Sequence, residues 1–223
     1  MIFSIRLFKG LFHPSKFFVH LNRCSSIKGF WWRFSIILLI YLTLGLIQGY
    51  IGMGTEELME EWGSVDKEII ESAKIIMVAG VAASNLLKPF FMVMIFSLAL
   101  MIFIDDFSYK KIMVVQLYSI TILLGERILS TTIYYVWGIP FSWNVFSMSP
   151  ILHMYVEHPL LLVLGSKLTI FHAWAIFHQY KVFKVSAELQ RWKVISFLVL
   201  LFFFFLSMDA IFSSLAKEID IVL

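Results

Sequence analysis

Glu126 and Arg127 stand side by side inside an apolar run, from Lys111 through Trp137, that is long enough to cross a bilayer. An ionised group at bilayer depth costs a few kcal/mol or more, so such residues face a protein interior or a wet cavity and have partners there. Consecutive residues of a helix point about 100° apart, so the two cannot simply neutralise each other and each needs a partner on another helix. At about 1.5 Å of rise per residue, Glu126 lies roughly 22 Å from the start of its span and Lys167 roughly 12 Å into the next one. Both therefore fall at a similar height in a hydrocarbon core of roughly 30 Å. Asp209 reaches the same layer, and Lys88 hangs towards it. The expected constellation is Lys88, Arg127 and Lys167 against Glu126 and Asp209, serving either a substrate or ion pathway or a set of interhelical pairs that fix helix register. The structural role is preferred, because Lys88 and Asp209 can also snorkel to the interface.

Other chemistry is weakly represented. His153, Glu157 and His158 are spaced unlike the zinc-binding His-Glu-x-x-His helix or its inverse, and Pro150 and Pro159 bracket them, so no metal is expected. His172 and His178 are six apart and do not share a helix face well. Glu56-Glu57 and Glu60-Glu61 lack the arginine four residues later that a glutamate-type intramembrane protease needs. There is no Gly-x-Ser-x-Gly and no phosphate loop, so neither hydrolase chemistry nor ATP hydrolysis is indicated. No cofactor and no enzymatic activity are expected. Cys24, the single cysteine, excludes an internal disulfide and any multi-cysteine metal site.

The elements that position these residues are helices in a membrane. Of 223 residues 60% are hydrophobic and only 15% charged, with a mean hydropathy of +0.87, unlike a soluble domain. Basic residues flank apolar runs, where they act as topology signals, and nucleic-acid binding is not indicated despite the net charge of +3. The predicted fold class is an all-α integral membrane protein: a five-helix transmembrane bundle (residues 30–223) preceded by an amphipathic N-terminal segment (residues 1–29). The spans are placed at about 30–50, 86–104, 112–136, 159–179 and 194–215.

Residues 2–22 alternate apolar and cationic groups, and Pro14 divides them into two short amphipathic pieces. These lie in the headgroup layer or pack beneath the bundle. Trp31 and Trp32 open the first span at interfacial depth, and Gly45 and Gly49, four apart within it, allow a close helix contact. Residues 55–74 turn acidic and read as an amphipathic helix or hairpin with a solvated face. Lys88-Pro89 supplies a kink in the long run from Ile75 to Ile104, of which 75–85 extends outward beyond the second span. With the N-terminus in the cytoplasm, twelve Lys and Arg fall inside and only Lys67, Lys74 and Lys217 outside, which sets the N-terminus cytoplasmic and the C-terminus outside in the cell membrane.

The segment Leu11-Phe12-His13-Pro14-Ser15-Lys16-Phe17-Phe18 resembles the short Pro-x-x-Phe-Phe opening of the Yip (Ypt-interacting protein) membrane family. Leu164-Gly165-Ser166 through Phe171-His172-Ala173-Trp174 to Lys184-Val185-Ser186, followed by one last apolar span, is similar to that family's final helical pair. The family has no accepted catalytic residues to carry over. Its eukaryotic members act in vesicle traffic with small GTPases, and bacterial YknW-like members resemble accessory partners of ABC export systems. The short N-terminal region favours the bacterial type, and the Glu126-Arg127 pair departs from the family's pattern. The resemblance implies a non-enzymatic accessory or assembly partner of an ABC-type transporter, with transporter subunits as partners besides the lipid bilayer. A small transporter or permease using the intramembrane polar layer is the alternative.

Overall fold

The computed structural model describes residues 2–21, 23–53, 67–104, 107–140, 143–156, 158–186, 195–196, 198–200 and 202–203. The chain opens with a strand, β1 (Ile2–Ser4), and two short helices, α1 (Leu7–Phe12) and α2 (Pro14–Phe17), which continue into a 3-10 turn at Phe18–His20. Pro14 divides the helices as expected: at the first helical position its missing N–H costs nothing. A second strand, β2 (Ser26–Lys28), pairs with β1 in parallel, Ile2 opposite Ser26. Gly10, Pro14, Phe18 and Leu21 are buried at three- to four-residue spacing, so one face of this segment docks onto the helices. The opposite face leaves Phe8, Phe12 and Val19 exposed.

Among the described residues, three helices are long and apolar enough to cross a membrane. They are α3 (Phe30–Tyr50), α4 (Lys67–Phe103, apolar from Ser72 onward) and α5 (Tyr109–Trp137). α3 begins at Gly29 in a left-handed conformation and is followed by a turn at Gly52, also left-handed, a backbone region open to glycine at little cost. α4 runs antiparallel to α3, and the glycine pair is where they approach: a Cβ on Gly49 would lie 2.7 Å from Cα of Val78, and one on Gly45 2.9 Å from Cα of Ala82. Further along, the rings of Phe34 and Phe90 stack at 6.0 Å. Residues 78–85, expected to project beyond the second span, thus lie alongside α3, because the glycines admit the α4 backbone there. Pro89 sits inside α4 without ending it. The acidic stretch expected over 55–74 falls largely on 54–66, outside the described residues, and its last part opens α4.

α5 is the central helix. Every residue from Ile112 to Ile120 is buried, since the N-terminal segment, α3 and α4 all reach it. The Tyr41 hydroxyl donates to the Ile120 carbonyl at 2.9 Å, Tyr109 reaches the Met94 sulfur at 3.3 Å, and Tyr118 meets Phe18 edge-on with ring centres 5.0 Å apart. Gly138, left-handed, ends the helix.

The following chain folds back on α5 through a short helix, α6 (Ser149–Leu152), and then forms α7 (Pro159–Lys167) and α8 (Ile170–Ser186). The fourth span, expected as one helix over 159–179, is instead broken at Leu168 and Thr169. Leu168 is extended, its carbonyl accepts from the Met148 N–H at 3.1 Å, and the Ile170 N–H donates to the Phe146 carbonyl at 3.0 Å. These two bonds form a bridge between Ser147 and Thr169. The backbone groups freed by the break are thereby satisfied within the protein, the condition on which irregular chain survives in an apolar setting. α8 runs antiparallel to α5 down to a Phe183–Phe107 contact at 5.7 Å. Of the expected fifth span, residues 195–196, 198–200 and 202–203 are helical, with Leu198 buried and Phe202 against His172.

Candidate functional site

Buried polar residues on α5 recur at Gln116, Ser119, Glu126 and Ser130, intervals of three, seven and four that keep them on one face of a helix. Arg127 and Thr131, one residue further round, form a second row. Two clusters result, one on each side of the Glu126-Arg127 pair.

On the Arg127 side, Gln48 of α3 is the hub. Its Oε1 accepts from Asn85 Nδ2 of α4 at 2.7 Å and from Arg127 Nη1 at 3.4 Å. Its Nε2 donates to Thr131 Oγ1 at 2.6 Å, and that hydroxyl donates in turn to the Arg127 carbonyl at 2.8 Å. The amide orientation is set by these neighbours, two donors facing its oxygen and a hydroxyl facing its nitrogen. The glycine contact brings Asn85 within reach, since Gly45 leaves no Cβ where the Asn85 side chain lies.

On the Glu126 side, the carboxylate is 6% exposed and receives donors from two other segments. Asn144, in the chain that folds back after α5, donates through Nδ2 to Glu126 Oε1 at 3.2 Å. The Phe146 N–H donates to Asn144 Oδ1 at 3.1 Å, an Asx-type turn that aims the amide nitrogen at the carboxylate. The Thr169 hydroxyl lies at the break before α8 on the same side of Glu126. His172 Nδ1 stands 2.8 Å from Thr169 Oγ1 and 3.6 Å from Glu126 Oε2. The carboxylate therefore sits beside the break before α8 and within the field of Arg127 and Lys167. Chemically, this arrangement sets a carboxylate, a hydroxyl and an imidazole side by side. It also ties three separate segments to one height on α5.

Further down the same face, Gln179 Nε2 donates to Ser119 Oγ at 2.8 Å, and the Gln116 and Gln179 amides bond each other at 3.3 and 3.4 Å. His172 and Gln179, seven apart, share one face of α8. Between them lies a cavity of about 20 Å³, room for about one water, walled otherwise by apolar groups including Phe96, Leu123 and Phe202.

The structure brings together only part of the expected layer. Glu126 and Arg127 point to different segments, as their adjacency requires. Lys167 closes α7 half-buried and bears on Glu126. Lys88 is exposed on α4, one turn from the buried Asn85. Asp209 lies outside the described residues. The residues that complete the site are neutral: Gln48, Asn85, Thr131, Asn144 and Thr169, together with His172. Heptad-like recurrence of Gln116, Ser119 and Glu126 was the available signal. His153 stacks on Trp143 at 4.6 Å, and among the described residues no three of His, Cys, Asp or Glu converge as metal ligands. Glu157 lies outside the described residues.

No family model matches the sequence, no curated protein matches it, and no solved structure matches the fold.

Proposed function

We propose that the chain is a non-enzymatic, five-span membrane protein of the Yip type, an assembly partner of an ABC-type export system in the bacterial cell membrane. In this reading the N-terminus is cytoplasmic and the C-terminus outside. The supporting observation is that the central polar groups bond one another across α3, α4, α5, the fold-back chain and α8. Such a network secures one arrangement of helices, the role buried polar groups play best. Facing outward are apolar side chains such as Leu39 and Ile47 of α3 and Phe91, Leu98 and Ile102 of α4, a surface suited to lipid or to helices of another membrane protein. The test is affinity isolation of tagged protein from native membranes in mild detergent. An ATPase and a permease subunit are expected in fixed ratio to the chain; recovery of the chain alone, at undiminished yield, ends the reading.

A second reading, a small transporter working through the polar layer, draws on the helix break beside Glu126, since transporters place substrate and ion sites at interrupted helices. Glu126→Gln and Lys167→Met, made separately, discriminate. Transport requires altered flux with folded protein still present, whereas joint loss of fold and expression without any flux effect counts against it.

A further inference from the structure

The N-terminal segment carries two apolar faces. One, through Phe18 and Leu21, is buried in the bundle, where His178 Nε2 of α8 donates to the Gly10 carbonyl at 2.9 Å. The other exposes Phe8, Phe12 and Val19 among Lys9, His13 and Lys16. A helix face that mixes aromatics and cations is poorly suited to bulk water and well suited to a lipid, whose chain and headgroup offer both kinds of contact. The face also continues onto a second element. Phe12 contacts Trp174 of α8 at 6.3 Å between ring centres, and Trp174, Phe177 and Lys181 follow at intervals of three and four along α8. Lys181 holds its ammonium 4.5 Å from the centre of the Phe177 ring, which places a cation directly over an exposed aromatic floor. The charge is of one sign throughout: residues 1–53 contain no Asp or Glu, and Arg6, Lys9, Lys16, Arg23 and Lys28 are all exposed.

We propose that the junction of α1 and α8 binds an anionic phospholipid, with an acyl chain across Phe12, Trp174 and Phe177 and the phosphate among Lys9, Lys16 and Lys181. The inference rests on the membrane reading above. Charge complementarity selects an anionic headgroup over a zwitterionic one, and the aromatic floor selects a lipid over a soluble phosphate. Each basic side chain at a membrane surface contributes about a fivefold preference for anionic lipid, so the three lysines together support a preference of at least about tenfold.

The full chain is reconstituted in nanodiscs of equal phosphatidylglycerol and phosphatidylcholine, released into mild detergent, and its retained lipids are counted by native mass spectrometry. Wild type is expected to keep phosphatidylglycerol at least about tenfold over phosphatidylcholine. K9Q/K16Q/K181Q is expected to bring that ratio to within about twofold of unity, while K28Q/K184Q leaves it unchanged. Equal retention by wild type, or a triple variant as selective as wild type, overturns the site. Should the triple variant fail to insert, W174A/F177A is scored instead: loss of retained lipid supports the site and undiminished retention overturns it. A wild-type chain that does not enter the nanodisc refutes the membrane reading itself, and the lipid site with it.

Discussion

The α3–α4 and α5–α8 contacts are both antiparallel helix pairs in one bundle, yet different devices predominate in them. α3 meets α4 chiefly where side chains are missing: Gly45 and Gly49 let the backbones close up for dispersion contact, and a bond from Asn85 to Gln48 pins the pair beside them. α8 meets α5 where polar side chains are present, from Glu126 with Thr169 and His172 down to Ser119 and Gln116 with Gln179. The surroundings differ accordingly. About two thirds (67%) of the apolar stretch of α5 is buried, against 28% in α3 and in α4. Close approach fixes the distance between helices but tolerates sliding, since apolar contacts have no direction. Hydrogen bonds fix height and rotation, because each needs its partner at one position. The peripheral pair thus rests mainly on close approach with the Asn85–Gln48 bond to pin it, and the central pair on a series of bonds that sets register.

The comparison can be broken most forcefully at Glu126. Glu126→Ala removes the acceptor of Asn144 and the carboxylate that faces His172, Arg127 and Lys167, a loss of about 3 kcal/mol or more. Thermal unfolding in detergent should show it; a near-native midpoint would mean that the polar face does not set register. Gly49→Leu drives a side chain into the Val78 backbone and is expected to cost about 1–3 kcal/mol, read as lost yield of monodisperse protein. If it purifies like wild type, α3 and α4 are not held by close approach. Gln179→Leu, which strands Gln116 and Ser119, should cost about 1 kcal/mol, the usual range for such bonds. Adding Gln116→Leu should return part of that loss, and a double-variant cycle without coupling would deny the pairing. Smallest of all, Gly80→Leu adds a side chain where a Cβ meets nothing within 4 Å. It should shift stability by no more than about 0.5 kcal/mol, and a larger shift would show that any glycine of the pair matters, not only the two of α3 that α4 approaches.

Much of this frame was legible in the sequence. α3 spans the residues expected of the first membrane crossing, bounded by Gly29 and Gly52, whose backbone conformations favour glycine. The divergence of Glu126 and Arg127 followed from helical geometry alone. Their partners did not, because a lone Gln48, Asn85 or Asn144 in an apolar context carries no local mark, while charged residues draw attention wherever they point. Lys88 attracted such attention and lies on the exposed side of α4. The break at Leu168 and Thr169 was equally hidden, with no glycine or proline at those positions. Its cause is tertiary, two backbone bonds to Phe146 and Met148 that compete successfully with helix continuation. The parallel pairing of β1 and β2 went unseen for the same reason: three-residue strands more than twenty positions apart leave no periodic trace.

The bond between His178 and the Gly10 carbonyl joins groups 168 residues apart. At translation speeds of about 5–20 residues per second, the amino-terminal stretch emerges roughly ten to thirty seconds before its docking helix exists. During that interval Phe18 and Leu21 have no bundle to enter, and a nascent chain with bare aromatics needs an interim host. Synthesis thus assigns the first thirty residues a last step: they settle only after α8 has been made.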